Sequence, residues 1–235
     1  MVFNRCRRSG ERIRGNPITL SHLQNQLQEI YELDIDHDVN DFLVTQYDLI
    51  AETGATSGGI KTREKLLIHQ EQDQLLLSLY LHDEILSNLE SSGNGMKLNH
   101  DNFEDCCLAL EGISHFLYLI WNARYQRSVT LLEMELQAEI DKFIMLCILL
   151  RQQNLNPAPG QIHSLLFESV QYHDFLKPEE LQRYRDANLF AKKYCWYLES
   201  RLRKLPVVGR QVLQELRRFY RLNQTAKLRH INYLH

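Results

Sequence analysis

The chain has 235 residues, of which 44% are hydrophobic and 24% charged, and its formal net charge is −3. This composition is typical of a globular protein and excludes a collagen-like or disulfide-rich secreted chain. The five cysteines are scattered and lack the spacing of a zinc or redox motif, which predicts reduced thiols in a cytoplasmic protein.

Charge is distributed unevenly along the chain. Residues 1–15 carry five arginines and one glutamate, residues 16–182 carry nine cations and 26 carboxylates, and residues 183–235 carry thirteen cations and three carboxylates. The net charges of +4, −17 and +10 together give −3. An acidic body followed by a basic C-terminal portion indicates an interaction surface, or two parts that attract each other.

The first elements in chain order are a basic arm and two helices. We expect residues 1–16 to form a disordered arm and residues 17–235 to form a single helical domain. Leucines recur at helical spacing in the first helix, from Pro17 on, and the pattern over 38–52 predicts a second. The glycine- and threonine-rich stretch 53–62 is predicted to be a loop.

A β-hairpin is predicted over 65–81. Two leucine-rich runs alternate there, and the polar residues Gln72 and Asp73 lie between them. An isolated hairpin is marginally stable in water, so its strands should lie on the helical core or pair with another strand, in the same chain or across a dimer.

The remaining segments are predicted to be helical, and the last two, from residue 179 on, form the basic C-terminal helical portion. Capping boxes start two of these helices, at Asp101 with Glu104 and at Thr130 with Glu133. No apolar run reaches the roughly 20 residues that cross a bilayer, so we expect no membrane span. The predicted helices cover 83–90, 102–125, 131–153, 161–173, 179–204 and 209–222.

The sequence thus predicts a mainly α fold, an irregular bundle of about seven helices with one β-hairpin as a minor α+β component.

Glu111 and His115 interrupt an otherwise apolar helix by one turn. They lie on one helical face, about 40° apart, beside a wide apolar stripe. Gly112 stands between them, and a glycine inside a helix often marks the close approach of another backbone or a ligand. The pair is therefore a candidate binding site.

Glu135 and Glu139 repeat this one-turn spacing in the next helix. If the two helices pack antiparallel, all four groups could face one another and hold a metal ion, although the di-iron carboxylate pattern places Glu and His at i and i+3. The alternative that we favour pairs His115 with Glu111 or a backbone carbonyl. In that alternative Glu135 and Glu139 lie on a solvated face, and Lys142 completes an intrahelical ion pair.

His82 and Asp83 follow an apolar run, and this His-Asp pair resembles the metal-binding dipeptide of HD-type phosphohydrolases. The resemblance covers only those residues, and implies that Asp83 would bind a metal ion. That fold needs an earlier histidine on a separate helix, whereas His69 lies in the predicted hairpin. Asp83 is better explained as the N-cap of the helix that follows it.

The basic C-terminal helical portion interleaves cations with aromatic residues, the mixture that phosphate contact and base stacking use. Arg217, Arg218 and Arg221 are the candidate binding residues in this portion. The aromatics recur at helical spacing, however, which predicts core positions. The acidic body, in the same chain or in a second subunit, could also pair with the basic helices, and we favour this structural or self-association role over nucleic-acid binding.

The sequence contains no complete catalytic constellation. We therefore expect a cytoplasmic, non-enzymatic interaction or adaptor protein that binds a partner protein or itself, with no cofactor. Two alternatives stay open: a metal-dependent enzyme that uses Glu111, His115, Glu135 and Glu139, and a nucleic-acid-binding protein that uses the C-terminal arginines.

Overall fold

The computed structural model describes residues 2–5, 17–54, 62–71, 74–90, 97–172, 174, 176–202 and 209–234. Over these residues the fold is mainly α with a small sheet, which confirms the predicted fold class. The chain forms two compact units, made of Met1–Gln26 with Asp34–Arg127 and of Leu27–Leu33 with Ser128–His235. The expected single domain over 17–235 stays a prediction.

The first unit contains the sheet and the earlier helices. Its elements are β1 (Val2–Arg5), the beginning of α1 (Pro17–Tyr31), a 3-10 helix (Val39–Phe42), β2 (Leu43–Val44), α2 (Gln46–Thr53), β3 (Glu64–Glu71), β4 (Gln74–Leu81), α3 (Asp83–Glu90) and α4 (Phe103–Arg124).

The second unit is helical in the residues that are described. Its elements are the end of α1, α5 (Leu131–Gln152), α6 (Gln161–Phe167), α7 (Pro178–Leu202), α8 (Arg210–Tyr220) and α9 (Gln224–Asn232). The described parts of the chain thus hold nine α-helices, where the sequence predicted about seven.

The predicted hairpin is confirmed. β3 and β4 pair antiparallel from Glu64 opposite Leu81 to Glu71 opposite Gln74, and the two predicted turn residues lie outside the described residues. The other edge of β4 pairs in parallel with β1 and β2. The hairpin therefore has strand partners within its own chain.

The strand β1 corrects one prediction. Val2–Arg5 was expected to belong to a disordered arm, but it pairs with β4 in parallel, beginning with Val2 opposite Gln74. Unpaired backbone groups on a strand edge favour such an added strand, and composition gives no sign of it. Residues 6–16 of the predicted arm lie outside the described residues.

The helix predicted over 38–52 is also wrong as a single element. Thr45 accepts a hydrogen bond from the backbone N–H of Asp48, whose carboxylate accepts one from the Thr45 N–H, so a capping box starts α2 afresh at this point. The residues before it form the 3-10 helix and β2 instead. A capping box inside a periodic pattern therefore marks a break that periodicity alone overlooks.

Of the two predicted capping boxes, one start is confirmed and the other is wrong. The Thr130 hydroxyl accepts from the Glu133 N–H at 3.1 Å, as predicted. Asp101 is not the cap of α4, which begins after Asn102. Asn99 Oδ1 accepts from the N–H groups of both of these residues, so they form a turn before the helix.

The core of the first unit is built around α4. Phe116 of this helix contacts Phe42 with ring centroids 4.9 Å apart, and Leu77 and Leu79 of β4 are fully buried. By length and composition α4 could cross a membrane, but 72% of its most apolar window is buried inside the protein. Such burial is typical of the core helix of a soluble protein.

The core of the second unit contains stacked aromatic rings. Tyr194 of α7 stacks on Phe219 of α8 at 4.1 Å between centroids, and Tyr31 at the end of α1 stacks on Tyr220 at 4.2 Å. Tyr194, Phe219 and Tyr220 of the basic C-terminal helical portion are therefore core residues. The helix α9, which the sequence analysis missed, is capped by Asn223.

Candidate functional sites

His115 lies buried in the first unit, with 6% of its surface exposed. Its Nδ1 is 3.7 Å from Oε1 of Glu64, at the start of β3. The predicted partner Glu111 is also close, because its nearest ligand atom lies within 4.8 Å of the imidazole. Sequence reasoning missed Glu64, since nothing in a strand pattern shows which helix the strand will pack on.

Gly112 explains how the strands approach α4 so closely. A Cβ added at this glycine would lie 2.9 Å from Leu79 Cδ1 and 3.2 Å from Glu64 Oε1. Real Cβ atoms do not come within 3.0 Å of a neighbour. The glycine therefore provides the room in which the Glu64 carboxylate reaches the helix face of Glu111 and His115.

A second polar cluster fixes the start of β3. Arg63 Nη2 lies 2.6 Å from the buried carboxylate of Asp105 in α4, and Asn88 of α3 donates to the other oxygen of the same carboxylate at 2.6 Å. Charge-assisted bonds of this length are strong. The next residue, Glu64, is thereby held at a defined position along α4.

The predicted residues Glu135 and Glu139 belong to the second unit. The predicted ion pair is present, with Lys142 Nζ 2.8 Å from Glu139 Oε1. The predicted solvated face is wrong, since Glu135 and Lys142 are each only 8% exposed. Glu135 Oε1 lies 3.6 Å from Nε of Arg183 on α7, which explains how a carboxylate is kept there.

The metal set predicted from Glu111, His115, Glu135 and Glu139 draws on both units, and it stays a prediction.

The predicted arginines of α8 divide into two kinds. Arg217 Nε donates to the Ile30 carbonyl at 2.8 Å, its Nη1 lies 2.6 Å from Glu32 Oε1, and Arg221 donates to the Tyr31 carbonyl at 3.1 Å. These bonds satisfy carbonyls at the C-terminus of α1, where cations are favourable. Arg218 is exposed.

A buried polar network, which the sequence analysis missed, lies in the second unit. Asp141 Oδ1 accepts from the Tyr31 hydroxyl at 2.5 Å and from Gln137 Nε2 at 2.8 Å, while Lys227 Nζ donates to Gln137 Oε1 at 2.6 Å. Burial, and then the Asp141 charge, raise the pKa of Tyr31 well above its usual value. The signal available in the sequence was the i and i+4 spacing of Gln137 and Asp141 within an apolar helix.

His82 and Asp83 lie at the start of α3. His82 Nδ1 accepts from the Glu84 N–H at 3.3 Å, so it stands at the start of α3 as a local hydrogen-bond acceptor. Asp83 is exposed and is the first residue of α3, so the prediction that it is the N-cap is wrong by one position.

One face of α7 carries large apolar side chains in solvent. Leu189 is 62% exposed and Trp196 is 57% exposed, seven positions further on, with the exposed Lys193 between them. Two helical turns separate the pair by about 10.5 Å. These three residues, the α7 face, were not recognised in the sequence because their periodicity there is indistinguishable from that of core positions.

Trp196 is held in place on one side. Its ring contacts the His163 ring of α6 edge-on at 5.0 Å, and His163 Nε2 lies 2.9 Å from the Lys192 carbonyl oxygen. A Cβ built on Gly160 would be 3.8 Å from the Trp196 ring, so the glycine borders it in ordinary contact. The indole is thus positioned while its outer surface stays exposed.

No protein-family model matches the chain, and no curated protein or solved structure shows significant similarity to it.

Proposed function

We propose that the protein is a cytoplasmic, non-enzymatic adaptor that binds a partner protein through the α7 face. The observation that supports this most is the exposure of Leu189 and Trp196 two turns apart on one helix. Tryptophan is enriched among the residues that dominate binding energy at interfaces.

The partner that fits this face is an amphipathic helix with acidic residues along its apolar stripe. An apolar stripe at i and i+7 would match Leu189 and Trp196 in length. Lys193 lies between them, and Arg185 and Arg229 are exposed on α7 and α9. Lys193 Nζ is 3.4 Å from the Asn232 carbonyl oxygen, which brings the end of α9 beside the α7 face.

Charge also favours an acidic partner over a neutral one. Residues 183–235 carry thirteen cations and three carboxylates. Complementary charge steers association and sets its rate more than it adds to final affinity. A surface that combines apolar and cationic side chains therefore suits an amphipathic helix with acidic residues.

Nucleic-acid binding is the second candidate function, and the contacts that the predicted arginines make within the protein argue against it. Arg217 and Arg221 bond the end of α1, and Lys227 is fully buried. Fewer cationic side chains are therefore available to contact phosphates, and the affinity for nonspecific nucleic acid depends on the number of such contacts.

The test is fluorescence anisotropy with three labelled probes at 150 mM salt. One is a 14-residue helical peptide with leucines at i, i+3, i+4 and i+7 and flanking glutamates, the second replaces the glutamates by lysines, and the third is single-stranded oligo(dT). We expect the acidic peptide to bind at least about tenfold more tightly than the other two.

Matched variants locate the binding. Trp196→Ala should weaken the acidic peptide roughly 30-fold, the loss typical of an interface tryptophan, and Leu189→Ala should weaken it less. Leu155→Ala is the control, because Leu155 is 48% exposed elsewhere in the second unit. Tighter binding of oligo(dT) than of the acidic peptide would refute the adaptor proposal, and so would equal losses of peptide affinity in Trp196→Ala and Leu155→Ala. Concentration-dependent sedimentation of the parent protein that is lost in Trp196→Ala would identify a second copy of the chain as the partner.

A further inference from the structure

We propose that α9 is a lid that opens and closes while the rest of the second unit stays folded, and that Lys227 is the residue that holds it closed. The lid covers parts of α5 and α8, which the Lys227 side chain contacts. Its opening does not depend on the α7 face or on any partner that binds there.

Little apolar surface holds α9 in place. Its nine residues contain two buried side chains, Lys227 and Ile231, of which only the second is apolar, and Leu228 is half-buried. The free energy of docking rises with the apolar area that is removed from water, so α9 is held less firmly than α8. The buried side chains of α8 are Val212, Leu216, Phe219 and Tyr220.

Lys227 places a buried ammonium group among aromatic rings. Its Nζ donates to Gln137 Oε1 at 2.6 Å and lies 5.1 Å from the centre of the Phe219 ring and 5.9 Å from that of Tyr220. These contacts recover only part of the hydration that a buried ammonium group loses. When α9 leaves, the ammonium group regains its water. The closed state is therefore favoured by a small difference between two large free energies.

His230 makes the second polar contact between α9 and α8. Its Nε2 is 2.6 Å from Glu215 Oε1, and its ring lies edge-on to the rings of Phe219 and Tyr194, at 5.7 and 6.0 Å between centroids. Because such hydrogen bonds are exchanged for bonds to water when the groups separate, they add little net free energy to closure. Opening of the lid uncovers these aromatic rings and the Glu215 carboxylate.

The contacts of α8 set where the opening stops. Arg217 donates to the Ile30 carbonyl at 2.8 Å, and Arg221 donates to the Tyr31 carbonyl at 3.1 Å. Both arginines precede residues 222–223, which join α8 to α9 and form the hinge. The helix α8 therefore stays docked when α9 leaves, whereas α9 itself unwinds, because a helix of nine residues is not stable alone in water.

The test is NMR-detected hydrogen exchange of the full chain at pH 7, with urea at concentrations below the unfolding transition. We expect the α9 amides 227–232 to share one protection factor, at least about 100-fold below that of the α5 amides, because one opening exposes them all. This protection should change little with urea, since opening a single helix exposes little surface.

Matched variants separate opening of the lid from unfolding of the second unit. Lys227→Met weakens closure and should speed exchange in α9 about 100-fold. Arg217→Gln removes contacts that the open and closed states both keep, so it should speed exchange in α5 roughly 30-fold and leave α9 unchanged. Lys177→Met, which removes an exposed lysine, should change neither.

Three results would overturn the proposal. In the first, Arg217→Gln speeds exchange in α9 and α5 equally, which means that α9 opens only when the second unit unfolds. In the second, protection falls gradually from residue 227 to residue 232, which is fraying of a helix end. In the third, Lys227→Met leaves exchange in α9 unchanged. If Lys227→Met fails to fold, Ile231→Val removes one buried methyl group instead and should speed exchange in α9 about fivefold.

Discussion

Lys227 Nζ of α9 lies 2.6 Å from Gln137 Oε1 of α5, and the lysine is fully buried. Gln137 in turn donates to Asp141, so one amide joins a buried ammonium group to a buried carboxylate. The Lys227 ammonium group also lies 5.1 Å from the centre of the Phe219 ring. Within the second unit, α9 is therefore attached to α5 by a charged network as well as by apolar contact.

We expect Lys227→Met to destabilise the protein by about 3 kcal/mol. Methionine keeps much of the side-chain volume, but it leaves buried polar groups without their cation, and breaking a buried charged set typically costs 3–5 kcal/mol. Urea unfolding followed by circular dichroism measures the change.

Two further variants test the cause of that loss. Lys177→Met removes an exposed lysine of the same unit and should change stability by less than about 0.5 kcal/mol. Lys227→Met combined with Asp141→Leu should recover part of the stability, because both charges are then gone. A Lys227→Met protein as stable as its parent would contradict the importance of the network.

Arg217→Gln should destabilise the protein by about 2 kcal/mol, while Arg218→Gln should be neutral within about 0.5 kcal/mol. The reason is that Arg217 bonds the Ile30 carbonyl and the Glu32 carboxylate at the end of α1, whereas Arg218 is exposed. The adjacent positions form a matched pair, measured by urea unfolding. Equal effects of the two variants would show that the α1 contacts contribute little.

Periodicity and caps were sufficient for much of the fold. The alternation over 65–81 predicted β3 and β4, and Thr130 with Glu133 fixed the start of α5. Both signals are local, because neighbouring residues carry them. Elements whose signal is not local were missed, as with Val2–Arg5, which is a strand by virtue of an edge elsewhere in the chain.

The same difference between local and non-local signals explains which residues of the candidate sites could be predicted. Glu111 with His115 and Glu139 with Lys142 were found because each pair lies on one helix, α4 for the first and α5 for the second. Glu64 was not found, because only the packing of β3 on α4 brings it to His115. Exposed α7 residues were also missed, since a helical repeat of apolar residues does not show which face the core covers.

Gly112→Ala should reduce stability by about 1 kcal/mol, although alanine is the better helix former by about the same amount. The added Cβ would lie 2.9 Å from Leu79 Cδ1, and Leu79 is fully buried, so its side chain has little freedom to move. Thermal unfolding measures the effect. Adding Leu79→Val should relieve part of the clash, and a Gly112→Ala protein more stable than its parent would show that the contact relaxes freely.

Burial raises the pKa of the Cys147 thiol to about 12 from its usual 9.0, although Arg151 opposes the shift. It also raises the pKa of Cys195 and Tyr194 in the same unit well above their usual values.

Between pH 9 and 12 the folded Cys147 keeps a proton that the unfolded chain loses, so its contribution to stability is complete below pH 9 and falls as pH rises. For one such group the slope is about 1.4 kcal/mol per pH unit. Cys147→Ala should therefore flatten the alkaline fall in unfolding free energy by up to this amount. Urea unfolding at pH 8, 10 and 11 gives these slopes, and identical slopes for Cys147→Ala and the parent protein would mean that the thiol is accessible to water in the folded state.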